Sequence, residues 1–200
     1  EYALAKLRDY GIERVGINVS HLKQQLVDYL AAATAGVPGT GPASLEKAPV
    51  LAGSVAGAPT ARAFPAVQIS EEPEPLETGG GLKKAEPLLG DEPVFAINSD
   101  IIWSDTGETA LNRLTQAWDD AKMDFLLLAQ SKAKAVGHDQ GEDHLFIKPE
   151  NTLGWNVAEA PYIISGIGIF HPRVLRTAPP GKFSVKVLWL KALAQNRLFC

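Results

Sequence analysis

The sequence predicts an α/β fold built on a mostly parallel sheet, and three observations carry that expectation. Residues 1 to 30 run helix, strand, helix, and such alternation favours parallel strands. A short apolar strand, Val94-Phe95-Ala96-Ile97, delivers Asn98-Ser99-Asp100 at its carboxyl end. Two continuous apolar runs, Asp124 to Gln130 and Tyr162 to Phe170, have the composition of strands covered on both faces.

In chain order, Tyr2, Leu4, Ala5, Leu7 and Tyr10 have helical spacing over residues 1 to 10, with Gly11 as the C-terminal cap. Ile12 to Val19 alternates as a strand, and Ser20 can cap a helix through Leu30. Residues 31 to 66 are dominated by Ala, Gly, Pro, Ser and Thr. Such a segment buries too little surface to offset its ordering entropy, so it reads as a flexible insertion, a passive loop with a lid as the functional alternative. Ala66 to Ser70 is a strand. Glu77 to Gly81 is a glycine loop feeding a short amphipathic helix. Residues 106 to 118 form a helix through Ala110, Leu111, Leu114 and Trp118. Residues 136 to 151 are polar and glycine-bearing. His171-Pro172 is a corner after the Tyr162 to Phe170 strand, and Ser184 to Arg197 is a last helix.

Composition excludes several roles. The 200 residues fit one domain, 46% apolar and 21% charged. The net charge is −4 with no basic run, which argues against nucleic acid or an anionic membrane as partner. No apolar run approaches the roughly 20 residues of a membrane span. The one cysteine, Cys200, has no internal disulfide partner, so cytoplasm is the expected compartment. The chain starts at Glu1 and its one methionine is Met123. It is therefore expected to be a fragment, a processed chain or an incomplete prediction.

Chemistry concentrates between Glu77 and Asp100. Three glycines at positions 79 to 81 remove every Cβ, so backbone N–H groups can approach a ligand. Lys83 and Lys84 follow in a helix whose amino end favours anions. Asp100 leaves a strand end, where open α/β sheets bind ligands, and a carboxylate there suits magnesium with its phosphates. Taken separately, the glycines read equally as a turn and Asn98-Ser99-Asp100 as a polar strand end. His138, Asp139, Asp143 and His144 read as a solvated loop, since their spacing fits no zinc signature. Cys200 has no adjacent base to activate it.

The stretch LETGGGLKKAEPLLGDEPVFAINSD, residues 76 to 100, resembles the middle of the sugar-1-phosphate nucleotidyltransferases. Within them it is similar to N-acetylmuramate-1-phosphate uridylyltransferases and mannose-1-phosphate guanylyltransferase-like proteins. The resemblance extends over residues 1 to 30 and 67 to 200. It implies a Rossmann-like mixed, mostly parallel sheet flanked by helices, of the nucleotide-diphospho-sugar transferase type. It also implies a magnesium cofactor, with UTP or GTP and a sugar 1-phosphate as partners. Glu77, Thr78, Gly79 and Gly80 match the loop against the base and ribose. Asp100 matches the magnesium-binding aspartate, and Ser165 and Gly166 match the sugar-facing strand. Gly141-Glu142-Asp143 loosely matches a further segment near the sugar.

Two departures qualify what the resemblance implies. No stretch matches the family's N-terminal loop of glycines, arginine and Pro-Lys, so no catalytic residue is assigned. The family's second metal-binding aspartate belongs to a Trp-x-Asp/His-x-Gly-Thr segment beyond the last helix, and no stretch matches that either. Impaired transfer is therefore expected of these residues alone. The alternatives are a non-catalytic module that binds a nucleotide sugar, and a generic Rossmann-like domain whose glycines are only a turn.

Overall fold

The computed structural model describes residues 2–20, 23–34, 65–137, 144–147, 153–155 and 161–200. The segments holding His138, Asp139 and Gly141-Glu142-Asp143 lie outside the described residues, as does most of the stretch expected to be a flexible insertion. The borders of that insertion shift: residues 31–34 continue a helix, and Ala66 opens a strand. The chain divides into two compact units, residues 1–75 and 76–200.

In the first unit, α1 (Tyr2–Tyr10) buries Leu4 and Leu7, one helical turn apart. Gly11 ends it as expected, at φ 107°, donating its N–H to the carbonyls of Leu7 and Arg8 at 3.0 and 2.9 Å. Strand β1 (Arg14–Val19) and strand β2 (Ala66–Glu71) pair in parallel, from Arg14 opposite Ala66 to Val19 opposite Glu71. Between them runs α2 (Lys23–Thr34), and Lys23 reaches Glu71 at 2.5 Å.

The second unit contains α3 (Glu77–Leu89), β3 (Val94–Ile97), α4 (Ala110–Ala117) and β4 (Phe125–Ser131). Strands β5 (His144–Ile147), β6 (Leu153–Trp155) and β7 (Tyr162–Phe170) follow, then a 3-10 turn over Pro172–Thr177, α5 (Lys186–Ala194) and β8 (Leu198–Phe199). The sheet order is β6-β5-β7-β4-β8, with β3 also on β7. The expected mixed sheet is present, but its balance leans antiparallel. Among the described residues β1–β2 and β4–β8 are parallel, whereas β3–β7, β4–β7, β5–β6 and β5–β7 are antiparallel. The cause is β7, which pairs antiparallel with three different strands.

Several boundaries move for local reasons. Helix α4 starts at Ala110 rather than at residue 106, because Gly107 sits at φ 85°. Thr109 then caps the helix by accepting from the Asn112 N–H, while Asp105 accepts from Ala110 at 2.8 Å. Strand β5 occupies part of the stretch expected to be merely polar. The core of this unit joins Phe125, Leu127, Phe170, Leu175, Leu188, Ala192 and Leu198. Phe125 and Phe170 stack with ring centres 5.9 Å apart. Leu175 and Leu198 have no exposed surface, each contributing about 1.5–3 kcal/mol of apolar burial. Among the described residues no helix is long and apolar enough to cross a membrane.

Candidate functional site

The site is built where β3 ends against an irregularity in β7. Opposite β4, Leu127 pairs with Gly168 but Ala129 pairs with Ile164, so Ser165, Gly166 and Ile167 face the single residue Leu128. This is a β-bulge, a device that re-aims strands beside binding sites. Gly166 adopts φ 76°, in the left-handed region that favours glycine. On the other edge of β7, the ladder continues one residue beyond β3: Asn98 donates its backbone N–H to the Gly166 carbonyl at 2.8 Å. The chain then turns, with Ile101 N–H reaching the Asn98 carbonyl at 3.4 Å. Ser99 and Asp100 stand exposed on this turn. Thus the structure brings Gly166 directly against the turn that carries Asp100, joining two segments the sequence separates by more than 60 residues.

The bulge is tightly fitted. A methyl on Gly166 would approach Asn98 Nδ2 at 2.8 Å and Ile101 Cγ1 at 3.0 Å. Ser165 Oγ is buried with no hydrogen-bond partner among the described residues. Leaving such a hydroxyl unsatisfied costs about 1–3 kcal/mol.

Glu77, Thr78, Gly79 and Gly80 are placed together, though not as a loop. They form the first turn of α3, which corrects the expectation of a glycine loop ahead of the helix. Helical glycine is unfavourable by about 1 kcal/mol relative to alanine, and tertiary packing overrides that cost here. Phe183 donates its N–H to the Leu76 carbonyl at 3.1 Å, and Gly80 donates to the Phe183 carbonyl at 3.0 Å. A Cβ on Gly79 would lie 2.5 Å from the Phe183 ring, and one on Gly80 would strike the Gly181 carbonyl oxygen. The glycines therefore let residues 181 to 183 close over the helix, and Gly79 and Gly80 are buried by them. Glu77 and Thr78 remain exposed. Glu77 takes φ 59°, unusual for a side-chain-bearing residue, and lies 3.9 Å from Lys182 Nζ.

Sequence reasoning passed over this partner segment, whose one signal was Gly181 ahead of Phe183. It also missed a buried charge cluster at the other end of β7. Asp124 Oδ1 lies 2.8 Å from Arg173 Nε and 3.0 Å from Arg197 Nε. Its signal was an acid opening an otherwise apolar run. His171 behaves as the expected corner: its Nδ1 accepts the Arg173 N–H at 3.1 Å. Burial and the Arg173 charge lower its pKa against the opposing pull of Asp120, Asp124 and Glu92. Burial pushes the Cys200 thiol up to about 11, so it is not a poised nucleophile.

For a metal, the described residues contain no group of three or more His, Cys, Asp or Glu side chains. Asp100 offers one exposed carboxylate. Magnesium takes one or two carboxylates and fills its other positions with water and substrate phosphate, so Asp100 fits as a single protein ligand.

Solved structures show the fold. The chain superposes on the inositol-1-phosphate CTP transferase from T. maritima with a TM-score of 0.64 at 14% identity, over 99% of this chain and 70% of that one. It superposes on UDP-glucose pyrophosphorylase complexed with UDP-glucose at TM-score 0.64 and 15% identity, over 98% and 75% of the two chains. The fold is that of the nucleotide-diphospho-sugar transferases. In sequence, the chain is a homologue of the N-acetylmuramate alpha-1-phosphate uridylyltransferase of Caulobacter vibrioides, 36% identical over 138 residues, which is 67% of this chain. The chain spans 56% of that relative's length. No family model matches it.

Proposed function

We propose that this chain forms the sugar-facing and base-facing part of a sugar-1-phosphate nucleotidyltransferase, a single nucleotidyltransferase-like domain that includes both compact units. The reaction joins a nucleoside triphosphate, UTP or GTP, to a sugar 1-phosphate and releases pyrophosphate. The homologue at 36% identity favours uridylyl transfer and makes UTP with N-acetylmuramate 1-phosphate the first pair to test. The observation that carries the reading is the Asn98–Gly166 backbone bond. It holds the exposed Asp100 beside the Ser165–Gly166 bulge, as a site joining phosphate to sugar requires.

Each residue then has a role. Thr78 and the first-turn backbone at Gly79 and Gly80 form the wall against the base and ribose, with Glu77 at its edge. Ser165 and Gly166 face the sugar. Asp100 presents a carboxylate oxygen to magnesium, which when bound neutralises phosphate charge. A sugar phosphate oxygen attacks the α-phosphorus in line, the bond to pyrophosphate breaks, and no covalent enzyme intermediate is needed. Positioning and electrostatics supply the acceleration. Cytoplasm, where nucleoside triphosphates are abundant, is the compartment we propose.

The test is titration of UDP-N-acetylmuramate into the purified chain with magnesium, beside an assay of pyrophosphate release. We expect magnesium-dependent binding that Asp100→Ala weakens roughly tenfold or more, the loss of one charge-assisted contact. Binding that ignores both magnesium and the Asp100 substitution would overturn the assignment. Binding without turnover would mark the chain as a nucleotide-sugar-binding module.

A further inference from the structure

The opposite end of the same sheet carries a second cluster of charged side chains. The register places Phe125, Val94 and Phe170 side by side, so the residues flanking Phe125 and following Phe170 lie at the far end of β3 from Asp100. Here an open groove of about 660 Å³ runs between the Pro172–Thr177 turn and α5, a size typical of small-molecule pockets. Four cationic side chains and two carboxylates line it.

The charges divide into two sets. Arg173 and Arg197 are held by Asp124 at 2.8 and 3.0 Å, and Arg173 also meets Asp120 at 3.2 Å. These four form the wall and neutralise one another. Arg176 and Lys191 are left over. Among the described residues Arg176 pairs with Asp91, and both side chains are largely exposed, 65% and 85%, so solvent screens that pair and an anion can displace it. Lys191 Nζ bonds the Thr177 hydroxyl at 2.7 Å and has no carboxylate partner among the described residues. Gln195 stands one helical turn beyond Lys191, and Leu188 and Ala192 supply an apolar floor. Two cations, a hydroxyl and an amide line the groove beside apolar surface, and Lys191 and Thr177 are in direct contact, a donor set suited to a tetrahedral dianion on a small organic body.

We propose that this groove binds the phosphoryl group of a small phosphorylated metabolite between Arg176, Thr177 and Lys191, separately from the Asp100 site. The probe is inorganic phosphate, titrated into the full chain in EDTA at constant ionic strength and followed by amide chemical shifts. Saturable shifts are expected in residues 174–177 and 188–195, unchanged by Asp100→Ala. Arg176→Ala and Lys191→Ala should each weaken binding roughly tenfold. Both side chains are exposed, and melting curves check that the variants fold. If Lys191→Ala disturbs α5, Thr177→Val removes the hydroxyl alone and is expected to weaken binding. No saturable shift beyond that of chloride overturns the proposal. So do shifts confined to residues 98–100 and 165–166, or an affinity indifferent to these substitutions.

Discussion

Gly80 donates its backbone N–H to the carbonyl oxygen of Phe183 at 3.0 Å, and the Gly181 carbonyl occupies the place a Gly80 side chain would need. The obstacle is backbone, which cannot rotate aside. Gly80→Ala is therefore expected to destabilise by about 1–3 kcal/mol, the usual penalty for overpacking. Urea unfolding would show a lower midpoint at unchanged slope. Gly16 is the contrast, since no described residue lies within 4 Å of its Cβ position. Gly16→Ala should stay within about 0.5 kcal/mol of the parent. Equal effects at the two positions would mean the 181–183 segment does not close on α3.

Gly166→Ala tests the bulge. The left-handed backbone costs an L-residue about 1–2 kcal/mol, and the new methyl would press on Asn98 and Ile101. Because those residues shape the turn bearing Asp100, affinity for a nucleotide sugar with magnesium should fall along with the melting temperature. A variant that melts early yet binds as tightly as the parent would detach the bulge from the site.

Asp124 carries two guanidinium partners while its side chain is only 12% exposed. Asp124→Asn keeps the shape and removes the charge. Breaking a buried pair from one side costs about 3–5 kcal/mol, and a large drop in unfolding free energy is expected. A loss below about 1 kcal/mol would mean that water screens the cluster as it does a surface pair.

His171 makes stability depend on pH. Its Nδ1 accepts the Arg173 N–H only while unprotonated, and its folded pKa is lowered from 6.5. The unfolded chain therefore takes up its proton first as pH falls. The contribution of His171 is complete above pH 6.5 and is lost as pH drops through the depressed folded value. His171→Asn retains an acceptor without titrating. It should flatten the melting-temperature profile in that range, and an unchanged profile would assign the acid sensitivity elsewhere.

The fold was legible where a strand or helix carries its own pattern. Tyr162 to Phe170 and Val94 to Ile97 match β7 and β3 residue for residue, since each is an apolar run closed by polar or proline-bearing sequence. Strand β8 has two residues and exists because Phe125 and Leu126 offer a parallel edge. Strands β5 and β6 likewise borrow their definition from the Tyr162 end of β7. Such pieces are set by tertiary context more than by propensity. At the site, Asp100 was visible as an acid at a strand end. The same local reading took Gly79 and Gly80 for a loop, because their packing partner lies about 100 residues away in sequence. The Asn98–Gly166 bond was hidden for the same reason.

The place of β7 in the chain also sets an order of assembly. Strands β3, β4 and β5 all bond to it, yet it begins roughly 65 residues after β3 ends. Translation at about 5–20 residues per second leaves β3 without its mate for several seconds. For roughly the second half of that interval the apolar Phe125–Leu127 run also waits without β7 beside it. The sheet therefore closes around β7 only once Phe170 is clear of the ribosomal tunnel, and β8 joins the free edge of β4 after that.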